Sequence, residues 1–143
     1  MKRRKSFAGI LVCLCLLVLC FSLTACASTD LAEGFDEETI KKSGEELINQ
    51  IQLNGTKQVL SERMREDFLK DIDLDTMENT VRNLTKGKGG FISYTEETVI
   101  GKYHDEAKED FGVILITAAY EKGEVNYTIT FDKEMKVVGF YAQ

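Results

Sequence analysis

The chain has 143 residues, with 18 Lys and Arg against 24 Asp and Glu, which gives a net charge of −6. Four of the basic residues precede Cys26, so the chain from Cys26 onward keeps 14 basic and 24 acidic residues, a net charge of −10. This acidic balance excludes nucleic acid as a partner, because phosphate backbones require a basic footprint. It also disfavours flat docking on anionic lipid.

The first 25 residues have the organisation of a secretory signal peptide. Basic residues 2–5 precede an apolar run from Phe7 to Phe21, and small residues follow before Cys26. An uncleaved transmembrane helix is the alternative, but it needs about 20 apolar residues, more than this run supplies. We therefore predict a signal peptide over 1–25.

The segment Leu23-Thr24-Ala25-Cys26 resembles the lipobox of bacterial lipoproteins. The resemblance implies that Cys26 carries a diacylglycerol through a thioether and becomes the first residue of the mature chain. The membrane is then a partner through this anchor, the location is extracytoplasmic on the bacterial cell membrane, and residues 26–34 are the lipidated cysteine and a tether. The other three cysteines lie within the apolar run, so the mature chain would have no intrachain disulfide.

The first mature helix is predicted to begin after Asp36, a good N-cap. Four apolar residues share one helix face, and Gly44 lies in the same stripe. A glycine there costs helix stability, so it indicates a close approach of another element. Asn54-Gly55 ends the helix. The apolar residues of the stripe are Ile40, Leu47, Ile48 and Ile51.

Two further helical regions follow. Residues 56–68 are predicted to form one or two short helical turns. A third helix begins at about Asp75, because Asp75 and Glu78 have the spacing of a capping box. An apolar stripe with helical spacing supports this helix; its members are Leu74, Met77, Val81 and Leu84.

From Phe91 the apolar residues recur at every second position, which is typical of strands. We predict four strands in a meander, with a bulge near Gly101 in the first strand, a second strand covered on both faces, and a tight hairpin at Lys122-Gly123. Helices followed by strands indicate a single α+β domain over 35–143. The predicted strands are 91–103, 111–121, 125–131 and 136–141.

Three segments carry a resemblance to a known family: Glu37–Ile51, the Tyr120–Gly123 hairpin and Thr130–Val137. The chain is similar to small lipoproteins of Gram-positive bacteria that carry a domain of unknown function, within the superfamily of nuclear transport factor two and ketosteroid isomerase. The resemblance implies N-terminal helices packed on a curved four-stranded antiparallel meander sheet, a cone-shaped, cystatin-like roll with a cavity. It also implies an accessory role, and it supplies no catalytic residues.

The five tyrosines of the chain all lie on predicted strands. Some of their hydroxyl groups could line a cavity between sheet and helices and contact a ligand; the alternative is that the rings fill the core. In the isomerase branch of the superfamily, a tyrosine works with a protonated aspartate, but no aspartate of this chain is predicted to lie inside the cone. The candidate pocket residues are Tyr94, Tyr103, Tyr120, Tyr127 and Tyr141.

No metal or cofactor site is predicted. Asp71 to Asp75 has the first spacing of a calcium loop, but Thr76 replaces the required glycine and Arg82 the required glutamate. A lone histidine, His104, cannot form a zinc site. A cluster of acidic residues at a helix start is also favoured by the helix dipole, without any metal.

Three functions remain open. The first is a lipid-anchored, non-enzymatic domain that binds a small molecule, a peptide or an envelope protein. The second is a cone-fold enzyme with a Tyr/Asp pocket, which requires a carboxylate of raised pKa in the cavity. The third is a homodimeric structural module that pairs sheet to sheet, which requires an exposed apolar patch.

Overall fold

The computed structural model describes residues 30–143; the predicted signal peptide and Cys26 lie outside them. The predicted α+β class is confirmed: within residues 30–143, four helices precede a four-stranded antiparallel sheet of order β1-β2-β3-β4, which does not close into a barrel. Within residues 30–143, no helix is long and apolar enough to span a bilayer. Membership of the cone-shaped superfamily stays a prediction.

The first helix, α1, spans Glu37–Asn54 and begins and ends as predicted. Asp36 caps it, because its carboxylate accepts a hydrogen bond of 2.8 Å from the backbone N–H of Thr39. The close approach predicted at Gly44 is also confirmed. A Cβ on Gly44 would lie 3.1 Å from Ile114 Cγ2 on the sheet.

Three shorter helices follow α1 in the described part of the chain. One correction concerns the last of them. Asp73, not Asp75, is its N-cap, and the Asp73 carboxylate accepts from the N–H groups of Asp75 and Thr76. Glu78 therefore makes no capping box and bonds elsewhere. The helices are α2 (Thr56–Arg63), α3 (Glu66–Leu69) and α4 (Leu74–Thr85).

The strands form an uninterrupted meander, and the hairpin at Lys122-Gly123 joins the second to the third as predicted. The bulge predicted near Gly101 is wrong. Gly101 pairs regularly with Gly112, and the irregularities of the first strand lie between Phe91 and Glu96. The strands are β1 (Phe91–His104), β2 (Glu109–Tyr120), β3 (Gly123–Phe131) and β4 (Val137–Ala142).

The main core lies between the helices and one face of the sheet. Alternate residues of β2, such as Ile114 and Ile116, point into it, as do Val125 and Ile129 of β3. The prediction that β2 is covered on both faces is wrong in part. On the outer face Leu115 is 43% exposed, because no helix of the described chain covers the middle of that face.

An ion-pair cluster fastens the α2–α3 connection to the sheet. The Arg65 guanidinium bonds to Asp67 and Glu109 at 2.8 Å and to the buried carboxylate of Asp132 at 3.2 Å. The Arg65 backbone N–H donates to the carbonyl of Val137 on β4. The Asp132 carboxylate also accepts from two backbone N–H groups in the β3–β4 turn, so this residue holds both the turn and the cation.

Candidate ligand-binding site

A cavity of about 420 Å³ lies between the C-terminal part of α1, helix α4 and the sheet. We call it the helix–sheet cavity. Its wall combines apolar side chains with hydroxyl, amide and charged groups. The lining residues are Ile51, Gln52, Gly55, Thr56, Glu78, Val81, Arg82, Thr85, Gly89, Phe91, Tyr120 and Tyr127.

Two tyrosine hydroxyls meet in this cavity. The hydroxyl oxygens of Tyr120 and Tyr127 are 3.3 Å apart, and the Gln52 side-chain amide donates to Tyr120 over 3.5 Å. Burial raises the pKa of Tyr127 far above its usual value, and the hydrogen bond with Tyr120 adds to the shift. Tyr127 is therefore neutral at physiological pH and keeps its donor hydrogen.

The opposite wall carries one carboxylate, which is already occupied. Glu78 accepts a 2.9 Å hydrogen bond from the Lys57 backbone N–H at the start of α2 and a 3.1 Å bond from Arg82. The bond from Lys57 is the main reason that the pKa of Glu78 is lowered. The first turn of α2 has no side-chain cap of its own, so Glu78 supplies the missing acceptor. Glu78 is thus an ionised, structural carboxylate.

The other three tyrosines lie outside the cavity lining. Tyr94 packs its ring on Phe91, and its hydroxyl lies 2.8 Å from Asn49 Oδ1 on α1. Tyr103 and Tyr141 are 55% and 58% exposed. Of the five candidate tyrosines, the structure therefore brings Tyr120 and Tyr127 together, with Tyr94 behind Phe91.

A pair of carboxyl groups lies between α1 and the edge strand β1. The Oε1 atom of Glu97 is buried and has no hydrogen-bond partner within residues 30–143. Burial raises the pKa of Glu45 on α1, and the facing carboxyl group of Glu97 raises it further. Glu45, Asn49 and Gln52 follow one another along the side of α1 that meets β1 and β2, so a polar seam runs from this pair to the helix–sheet cavity.

The residues weighed for metal binding have structural contacts. Asp73 caps α4, and its second oxygen accepts from the Thr76 hydroxyl at 2.7 Å. His104 Nδ1 accepts from the backbone N–H of Ala107, and the imidazole packs beside Phe68 and Phe111. Over residues 30–143 there is no group of three or more His, Cys, Asp or Glu that could hold a metal ion.

Sequence reasoning missed four of the residues that shape the cavity: Gln52, Glu78, Arg82 and Phe91. Gln52 had a signal, since it continues a polar stripe beside the apolar stripe of α1. Glu78 was interpreted as part of a capping box of its own helix, but it caps the neighbouring helix α2 instead. A glutamate at this position suits either role, so the sequence does not distinguish them. Nothing in the sequence around Arg82 or Phe91 indicated that these residues line a cavity.

Fold and cavity together define a small α+β domain with a half-polar cavity between its helices and one open sheet. The chain belongs to a family of proteins of unknown function, DUF3887, whose model matches residues 44–140. It is also similar to a protein from Ruminococcus gnavus ATCC 29149 solved by NMR, with 29% identity and a TM-score of 0.66, over 80% of this chain and 96% of that one. Among curated proteins, no sequence matches this chain.

Proposed function

We propose that the protein is an extracytoplasmic lipoprotein, anchored through Cys26, whose domain binds a ligand without catalysing a reaction. The anchor is supported by the order of basic, apolar and small residues that ends at Cys26. Two acyl chains on one glyceride give stable membrane attachment, whereas a single acyl chain does not. The binding role is supported by the helix–sheet cavity.

The observation that carries the binding role is that the two hydrogen-bonded tyrosines keep one hydroxyl hydrogen that can be donated to a ligand. Between them, Tyr120 and Tyr127 need only one of their two hydroxyl hydrogens. The bond from Gln52 to Tyr120 is 3.5 Å long and therefore weak. A ligand can replace it at little cost. With a volume of about 420 Å³, the cavity fits a small neutral molecule that has polar groups on one side and an apolar side against Phe91.

The enzyme alternative requires a carboxylic acid in the cavity whose pKa is raised. The cavity carboxylate, Glu78, has a lowered pKa and two donors already bound to it. The carboxyl group with a raised pKa, Glu45, lies in the seam outside the cavity lining. This arrangement favours binding over acid–base chemistry.

A second candidate role, homodimerisation through the outer face of the sheet, is favoured by one observation. A row of four uncharged residues crosses all four strands there: Thr98, Leu115, Thr128 and Tyr141. Leu115 and Tyr141 are 43% and 58% exposed. Because residues 26–143 carry a net charge of −10, this uncharged row is where two copies can meet with little repulsion. Sedimentation equilibrium should then show a dimer that Leu115→Glu dissociates; a monomer in both cases contradicts this role.

The anchor is tested by fractionation of cells that express the full chain or Cys26→Ala. The wild-type chain should sediment with membranes and partition into detergent. The variant should appear as unlipidated precursor or be released. Thr24→Ser is the matched control, because it keeps a small residue two positions before the predicted cleavage site. Membrane retention of Cys26→Ala as a mature-sized product contradicts the proposal.

The binding role is tested by NMR titration of the ¹⁵N-labelled mature chain with Cys26→Ser. The probes are an N-acetylglucosamine disaccharide and a neutral tripeptide. A ligand of the cavity should shift the amide signals of Gln52 and Gly89 and leave that of Tyr141 unmoved. Tyr120→Phe should weaken binding about tenfold, the loss expected for one hydrogen bond to a buried group. Shifts confined to the outer face would contradict a cavity ligand.

A further inference from the structure

Residues 30–35, the N-terminal residues that the structure describes, pack against the sheet. Gly101 of β1 and Gly112 of β2 are direct partners, and neither carries a side chain on the helix-facing side. Asp30 and Leu31 occupy the space over Gly101: a Cβ there would meet the Asp30 carbonyl and would lie 3.1 Å from Leu31 Cα. Phe35 occupies the space over Gly112, where a Cβ would lie 3.1 Å from its ring.

This packing shortens the predicted tether. Leu31 and Phe35 both pack against the main core, so residues 30–35 belong to the folded domain. Asp30 follows Cys26 by four residues. A fully extended chain covers at most about 3.6 Å per residue, so the two Cα atoms are separated by at most about 14 Å.

The cavity lies at the other end of the molecule. Helix α1 has 18 residues and is therefore about 27 Å long. Its N-terminus follows Phe35 beside Gly112, whereas Ile51 and Gln52 near its C-terminus line the helix–sheet cavity. The distance from Cys26 to Asp30 is thus at most about half the length of α1, which separates Phe35 from the cavity.

We propose that the turn end of the domain, residues 102–110 and 132–136, faces the bilayer and that the helix–sheet cavity opens away from it. This orientation rests on the proposed lipidation of Cys26. The partner is the headgroup layer of the membrane that holds the anchor. The covalent link and the short reach supply the attachment, because the turn end carries four lysines against six carboxylates and so gains little from anionic lipid.

Tyr103 is the residue that should touch the headgroups. It lies two residues beyond Gly101, on the same face of β1, and it is 55% exposed. A tyrosine ring suits the membrane–water interface, since its body is apolar and its hydroxyl is polar. End-on contact is also compatible with the acidic charge of the domain, which disfavours flat docking.

The test uses tryptophan fluorescence, because the chain contains no tryptophan. The full, acylated chain carrying Tyr103→Trp is reconstituted in phosphatidylcholine vesicles that contain a headgroup-spin-labelled lipid. Ile92→Trp, at the cavity end of β1 and 62% exposed, is the matched control; Tyr141→Trp reports the outer face. All three side chains are more than half exposed, so the substitutions leave the core intact. We expect at least threefold stronger quenching at position 103 than at 92 or 141.

Two failures are distinguishable. A chain that floats with the vesicles but shows equal quenching at the three positions, or strongest quenching at 92 or 141, overturns the orientation and leaves the anchor standing. A chain that does not float with vesicles, and whose mass shows no acyl group, overturns the anchor and the orientation together.

Discussion

The contact between Gly44 of α1 and Ile114 of β2 sets the distance between the helix layer and the sheet. A methyl group added at Gly44 would lie 3.1 Å from Ile114 Cγ2 and 3.2 Å from Ile114 Cδ1. Both distances are shorter than an ordinary carbon–carbon contact. Because Ile114 is fully buried in the core, it has little room to retreat.

Two effects of opposite sign decide the result of Gly44→Ala. Alanine stabilises a helix interior by about 1 kcal/mol relative to glycine. Overpacking a close-packed core costs about 1–3 kcal/mol. We expect the second effect to win, with a net loss of about 1 kcal/mol in the free energy of unfolding. Gly44→Val, which adds a branched side chain against the same isoleucine, should lose about 2 kcal/mol more.

The assay is urea unfolding of residues 26–143 with Cys26→Ser, followed by circular dichroism, at constant m-value. Ile114→Val removes Cδ1, one of the two atoms in the way, and by itself costs about 1 kcal/mol. The double variant Gly44→Ala/Ile114→Val should lose less than the sum of the two single losses, with a coupling of about 0.5–1 kcal/mol. A Gly44→Ala variant that is about 1 kcal/mol more stable, and additive with Ile114→Val, would refute the close approach.

Three further perturbations test other parts of the structure. The raised pKa of Glu45 means that the folded state binds a proton more tightly than the unfolded state, so this group stabilises less as pH rises above its ordinary 4.5. Glu97→Gln removes the second of the two causes, after burial, and should therefore raise the urea midpoint relative to the wild-type chain more at neutral pH than at acidic pH; the same difference at both pH values contradicts the pair. Asp73→Ala removes the cap of α4 and should cost about 1 kcal/mol in urea unfolding, whereas no loss would mean that the cap is not formed. Asp132→Ala removes the acceptor of two backbone N–H groups in the β3–β4 turn and one of the three carboxylates bonded to Arg65. We expect a loss of about 2 kcal/mol in thermal unfolding, with Asp132→Asn retaining part of the stability. Equal melting temperatures of the wild-type chain and both variants would argue against these contacts.

Features set by neighbours in sequence were predictable. Asp36 followed by two glutamates indicated the start of α1, and Lys122-Gly123 indicated the hairpin, because caps and tight turns are decided within a few residues. Gly44 was also predictable, since a glycine in an apolar helix stripe has few explanations other than a close neighbour. The α+β order followed from the change of period at Phe91.

Features set by distant residues were not predictable. Asp73 and Asp75 are equally good caps in sequence, and the choice between them depends on where the preceding chain packs. The exposure of Leu115 depends on the absence of a covering element in the described fold, which no strand pattern reports. The cavity draws Gln52 and Tyr120 from positions 68 residues apart, and only the packed structure brings them together.

The central claim is that the acidic domain is held at the membrane by a glyceride on one sulfur, and intact-mass analysis of the detergent-extracted protein tests it most directly. The account predicts a polypeptide that begins at Cys26 and is heavier by a diacylglycerol attached to that residue, with or without a further acyl group on its amine. A polypeptide that still begins at Met1, or one whose Cys26 is an unmodified thiol, would contradict the account.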